Sequence, residues 1–127
     1  MFRRLVCLAL VPLALAACGN GKDEEHEGLS DSSGATHVAV TISNKGCDPA
    51  AITVAAGKVA FDVTNDGSSS VTEFYVLETD DAIVGEVENV IPGQKKTLTL
   101  NLDEGNYLTK CPNGEPEKGT LTVTAAG

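Results

Sequence analysis

At 127 residues with a formal charge of −9 and 18 acids against nine lysines and arginines, the chain has room for one domain with one core. Its acidity argues against nucleic acid, whose phosphates it would repel. No tryptophan, few aromatics and many Gly, Val, Thr and Ala residues disfavour a helical bundle and point to short strands.

The first stretch, MFRRLVCLALVPLALAAC, places Arg3 and Arg4 ahead of an apolar run from Leu5 to Leu15. That run is too short to span a bilayer and ends in small residues, as an export signal does. Leu15, Ala16, Ala17 and Cys18 resemble the lipobox of bacterial lipoproteins, in which cleavage leaves the cysteine first and lipid is attached to its sulfur. The expectation is a signal peptide over 1–17 and a lipid anchor at Cys18. Acyl chains there give stable attachment, since each buried methylene contributes about 0.8 kcal/mol. Loss of residues 1–17 removes two arginines and no acid, so the mature chain is still more acidic.

Residues 18–36 follow as the lipidated cysteine and the polar run GNGKDEEHEGLSDSSGAT. This run cannot bury enough apolar surface to offset chain entropy and reads as a tether. Random-coil scaling gives it a reach of roughly 20–25 Å. His26 among the acids of DEEHE could hold a cation loosely, although a solvated acidic spacer accounts for the same residues.

The folded domain is expected over 37–127. His37 opens an alternating run with Val38, Val40 and Ile42 on one side, and Asn44 to Ala50 breaks it. Ile52 and Val54 form a short strand ending at Gly57, and Val59, Phe61 and Val63 form the next before the Asn65–Asp66–Gly67 turn. Thr72, Phe74 and Val76 share one face, with Glu73 and Tyr75 on the other. Further strands are expected around Ile83 to Val90 and Thr97 to Leu102, separated by Pro92 and Gly93. A strand with Tyr107, Thr109 and Cys111 at alternate positions then runs into the Pro112–Gly114 loop, and Gly119 opens a last strand through Leu121 and Val123. The pattern predicts an all-β Greek-key sandwich of about eight strands.

The sequence contains no internal repeat, phosphate-cradling glycine motif, Cys-x-x-Cys pair or GxSxG elbow. No Ser/His/Asp or Cys/His pair is evident in the strands and loops, so the reading is a non-enzymatic one.

Asn65 with the strand TEFYV, IPGQKKTLTL at Ile91–Leu100, GNYLTKC at Gly105–Cys111 and the GTLTV end together resemble the cupredoxin-like superfamily. The closer likeness is to the cupredoxin-like domain of EfeO-type periplasmic iron-uptake proteins. It rests on Cys47-Asp48-Pro49, on Glu88-Asn89 ahead of Pro92-Gly93, and on Gly105-x-Tyr107 leading to Cys111. The resemblance implies a lipid-anchored, extracytoplasmic binding module of the cell envelope, in the periplasm or on the membrane surface, that handles iron or copper. A metal-uptake permease or another envelope protein is its implied partner. No stretch of these 127 residues is expected to form the helical peptidase-like domain of EfeO-type proteins.

Blue-copper members hold their metal with two histidines, a cysteine and a weak axial methionine. By that pattern the first histidine falls on Thr72 and the second on Gly114, and only Cys111 matches, so no type 1 copper centre is expected. His37 stands at the wrong end of its strand to substitute, roughly 20 Å from Cys47 at about 3.3 Å per residue.

The resemblance also brings Cys47 near Cys111, and with Cys7 and Cys18 otherwise accounted for, an exported protein favours a disulfide between them. The alternative is a reduced site in which Cys111, Cys47 and a carboxylate, Glu73 by family position, bind a copper or iron ion. Asp48, Glu115 and Glu117 flank the same loops and would offer oxygens to a hard ferric ion. A rival to metal handling is a disulfide-stabilised, metal-free interaction or structural module. An oxidoreductase is disfavoured because the two cysteines lack the close spacing of redox motifs.

Overall fold

The computed structural model describes residues 33–127; the leader over 1–17, Cys18, His26 and the tether through residue 32 lie outside them. Among the described residues there are nine strands and no helix. They are β1 (Thr36–Ser43), β2 (Gly46–Asp48), β3 (Ala51–Ala55), β4 (Gly57–Asn65), β5 (Phe74–Leu77), β6 (Ile83–Val87), β7 (Lys95–Leu102), β8 (Gly105–Lys110) and β9 (Lys118–Thr124). One sheet has the order β2-β1-β4-β7 and the other β3-β9-β8-β5-β6. β1 runs parallel to β4 and β3 parallel to β9, and the remaining pairs are antiparallel.

The period-2 alternation decides what lies between the sheets. Val40 and Ile42 of β1, Val59, Phe61 and Val63 of β4, Phe74 and Val76 of β5 and Leu121 and Val123 of β9 are all buried in one core. Each such side chain stabilises the fold by about 1.5–3 kcal/mol through burial. Phe61 and Phe74 meet across the two sheets with ring centroids 5.5 Å apart. On the open side of the sandwich Leu100 of β7 seals against Gly85 of β6, where an added Cβ would lie 2.5 Å from the leucine methyl.

The ninth strand is β2, inside the segment that the sequence pattern reads as a break. Three residues bounded by a turn and a proline are too short to show alternation. What makes them a strand is register: Cys47 pairs with Ile42 and Gly46 with Ser43 across the Asn44–Lys45 turn. β2 and β3 belong to different sheets with only Pro49 and Ala50 between them, so this segment is a corner of the sandwich. Other boundaries also differ from the expectation: β6 ends at Val87, short of Val90, and β7 begins at Lys95, ahead of Thr97. Thr72 and Glu73 precede β5, and Cys111 follows β8.

One end of the sandwich gathers the β1–β2 turn, the β4–β5 loop, the β6–β7 loop and the β8–β9 loop; the described chain begins at the other. Asn65 organises the first of these ends. Its fully buried amide nitrogen lies 2.7–3.1 Å from the carbonyls of Ser68, Val71 and Val90, and its Oδ1 accepts the Ser68 N–H. A buried amide left without partners would cost about 1–3 kcal/mol, so the two loops are held to the geometry that satisfies it.

On the outer face of the four-stranded sheet, His37 Nδ1 donates to Asp62 Oδ2 at 2.7 Å and Thr97 Oγ1 donates to Asp62 Oδ1 at 2.7 Å, linking β1, β4 and β7. Burial alone would raise the Asp62 carboxyl. The hydrogen bonds from His37 and Thr97, with the charges of His37 and Lys95, outweigh it and hold the group below its usual value. A depressed carboxyl contributes stability that is present above its unfolded pKa of about 4 and is lost as pH falls through the folded value. Asp62→Asn is therefore expected to cost about 1 kcal/mol at neutral pH. The difference from the parent should close as urea denaturation is repeated toward strongly acidic pH, and an unchanged gap there would remove Asp62 as its source.

Candidate functional site

The two cysteines reach each other because β2 and the end of β8 face one another across the sandwich corner. Cys47 is held by its register with Ile42, and Cys111 N–H donates to the Glu117 carbonyl at 2.7 Å where the chain leaves β8. They form a disulfide with Cα atoms 5.6 Å apart, and Cys111 is fully buried. In this oxidised form neither sulfur is a thiolate, so neither can act as a soft ligand.

Around the disulfide the loops are stitched to one another. Ser68 Oγ and Ser70 Oγ both donate to Asn44 Oδ1, Asn113 Nδ2 donates to the Ser70 carbonyl at 3.0 Å, and Glu115 N–H donates to the Asn44 carbonyl at 3.1 Å. Gly46 and Gly114 allow the closest approach. A Cβ on Gly46, whose φ is +86°, would lie 2.1 Å from the Pro116 carbonyl oxygen; one on Gly114 would lie 2.4 Å from Gly46 Cα. Polar hydroxyls and amides hold three loops, and two glycines let their backbones touch.

Glu73 stands just before β5 and is turned to Tyr75, whose hydroxyl donates to Glu73 Oε2 at 2.9 Å and lies 3.4 Å from Glu88 Oε1. That hydrogen bond, with partial burial and the charges of Glu73, Glu86 and Glu88, pushes the Tyr75 phenol well above its ordinary value, so it stays a proton donor. Glu73 and Tyr75 fall two apart on one strand face, a signal the sequence carries; only the β5–β6 register, which sets Tyr75 opposite Glu86, brings the carboxylates of β6 and its following loop beside them. Asp48, Glu115 and Glu117 are exposed, and Glu117 Oε1 accepts the Asn113 N–H at 2.9 Å. Among the described residues no three His, Cys, Asp or Glu side chains are gathered so as to hold a metal ion.

Type 1 copper does not fit this donor set. Thr72 and Gly114 carry no imidazole, the chain has a single methionine at position 1, and the cysteine is consumed in the disulfide. His37, at the far end of β1 from the Ile42–Cys47 pair, is engaged with Asp62.

Comparison with known proteins places the chain among its relatives. The family described as Cupredoxin-like domain matches residues 5–123. The iron uptake system component EfeO of Yersinia pestis is 39% identical over 89 residues, which cover 70% of this chain and 23% of that protein. EfeO of Escherichia coli K12 is 35% identical over 95 residues, covering 75% of this chain and 25% of that one. The chain thus spans about a quarter of the length of these curated relatives. Among solved structures, auracyanin A of Chloroflexus aurantiacus, a blue copper protein, superposes with a TM-score of 0.60 at 18% identity, covering 72% of this chain and all of that one. At that identity the likeness is one of fold, and the chain keeps the sandwich without the copper ligands. On the match across its whole strand region, the chain belongs to the cupredoxin-like domain family.

Proposed function

We propose that this protein is a lipid-anchored, extracytoplasmic cupredoxin-like module of an iron-uptake system, which binds iron or copper ions as cargo and works with a metal-uptake permease or another envelope protein. The observation that carries this reading is the 35–39% identity to EfeO iron-uptake components, which covers 70–75% of this chain. The leader over 1–17 and the LAAC sequence ending at Cys18 support export and membrane attachment. With the sulfurs joined, Glu73 is the one of the three candidate ligands whose donor atoms are in a form that binds metal. Its oxygens, beside Glu88, suit a hard ferric ion better than a soft cuprous one. Reduction would add Cys47 and Cys111 to the donor set.

A second reading is a disulfide-stabilised, metal-free interaction or structural module on the envelope. The bond between the two candidate thiol ligands favours it. Cell fractionation and elemental analysis separate the possibilities. Cys18→Ser is expected to release the protein from membranes or to block its maturation, and attachment that survives unchanged would rule out the lipid anchor. After dialysis against ferric citrate or cupric chloride, the anchored protein should retain metal, and Glu73→Gln should lower the amount. Retention of neither ion, with or without reductant, would leave the metal-free module as the function.

A further inference from the structure

The outer face of the five-stranded sheet carries a feature that core packing does not require. Lys110 of β8 and Lys118 of β9 stand directly opposite each other, and Tyr75 of β5 is directly opposite Lys110 on its other side. Like charges directly opposed in an antiparallel pair are destabilising. An acidic chain with two carboxylates for every basic group had ample means to avoid such a pair. Asp81, on the β5–β6 loop, bonds Lys118 at 2.5 Å; Lys110, half-buried, has no hydrogen-bond partner for its ammonium among the described residues, although the same Asp81 carboxylate also attracts its charge. One positive charge is therefore left over.

Those lysines flank an open groove of about 290 Å³ lined by Tyr75, Leu77, Asp81, Ile83 and Pro112. Ile83 is 59% exposed, one of two large apolar side chains left in solvent among the described residues. An apolar floor beside an ammonium that lacks a hydrogen-bonded partner is a poor arrangement for water alone and a good one for an anion with apolar surface. We propose that this groove docks an extended acidic segment of a partner protein, with a carboxylate at Lys110 and an apolar side chain against Ile83 and Leu77. A small anion would leave the apolar floor uncovered, because a site for a small molecule encloses most of its ligand and this groove does not. An anionic lipid surface would meet Glu78 and Asp80 on the adjoining loop, which repel it over a wider area than the one remaining positive charge attracts. The surface is independent of the metal-handling role and would operate whether or not the protein binds an ion.

Fluorescence anisotropy with the full chain and a short labelled peptide of alternating glutamate and valine tests the assignment. The peptide should bind, binding should weaken as salt is raised, and a peptide of alternating lysine and valine should not bind. Lys110→Gln should weaken binding about tenfold while leaving the melting temperature close to the parent's, since it removes the repulsion from Lys118 together with an attraction to Asp81 and no hydrogen bond. The double variant Lys110→Glu/Lys118→Glu should instead take the lysine–valine peptide, which keeps the test informative even if it is less stable. Indifference of binding to Lys110→Gln, or absence of binding at millimolar peptide, would overturn the proposal. It would also fall if free glutamate competed as well as the peptide, or if phosphatidylglycerol vesicles bound through the two lysines while the peptide did not.

Discussion

Replacing Cys47 and Cys111 together with alanine is expected to lower the unfolding free energy by about 4 kcal/mol, the largest single effect anticipated in this fold. The bond joins residues 64 apart in sequence, so it closes about half of the chain into one loop and removes that much freedom from the unfolded state. It also ties a corner strand of one sheet to the end of a strand in the other. For a domain of this size the effect is a large part of a net stability of about 5–15 kcal/mol. Urea denaturation with and without reductant measures it, and mass spectrometry of alkylated, unreduced protein should find no free thiol at either position. A loss below about 1 kcal/mol would mean that the Asn44, Ser68, Ser70 and Asn113 hydrogen bonds hold the loops unaided.

How much of this was legible in the sequence follows from the range of each interaction. Alternation shows wherever a strand is long enough to repeat. The inward residues of β1, β4, β5 and β9 are the ones the pattern picks out, and the two-sheet sandwich follows from them. β2 was invisible because three residues hold one and a half periods, and its pairing is dictated by the turn before it. The parallel pairing of β1 with β4 and of β3 with β9 has no local signal either, since it joins residues far apart in sequence.

The site was less legible than the fold. Spacing places Glu73 and Tyr75 on one face, and their hydrogen bond is what such spacing permits. The Asp62 pair with His37 depends on a register between β1 and β4 that joins residues 25 apart, and Thr97 enters from a third strand. His37 therefore looked like the start of a strand when it is also a cross-strand clamp. The opposed lysines of β8 and β9 were equally hidden, since nothing in KCPNGEPEK says that its first and last residues will face each other.

The remaining large effect concerns Gly114. Installing histidines at the two positions where blue-copper relatives have them, Thr72→His and Gly114→His, is expected to destabilise the fold by about 3 kcal/mol and to yield no intense blue absorption with copper. Thr72 is half-buried in a loop, where its side chain is partly open to solvent. Gly114 cannot, because its Cβ position lies 2.4 Å from Gly46 Cα and 2.8 Å from Gly46 N, both backbone atoms with no rotamer to turn away. Gly46 is itself pinned by the Ser43 pairing on one side and the Pro116 carbonyl on the other. Relief would require the β8–β9 loop to lift off the corner, and the disulfide between Cys47 and Cys111 resists that movement. Thr72→His alone should be tolerated with a loss near 0.5 kcal/mol, which isolates Gly114 as the source of the cost. Thermal melts of the single and double variants, followed by absorption spectra of the reduced protein with cupric ion, test both parts. A stable double variant with a strong thiolate-to-copper band would show that the two loops can part, and that the glycine contact is a consequence of losing the metal and not a barrier to regaining it.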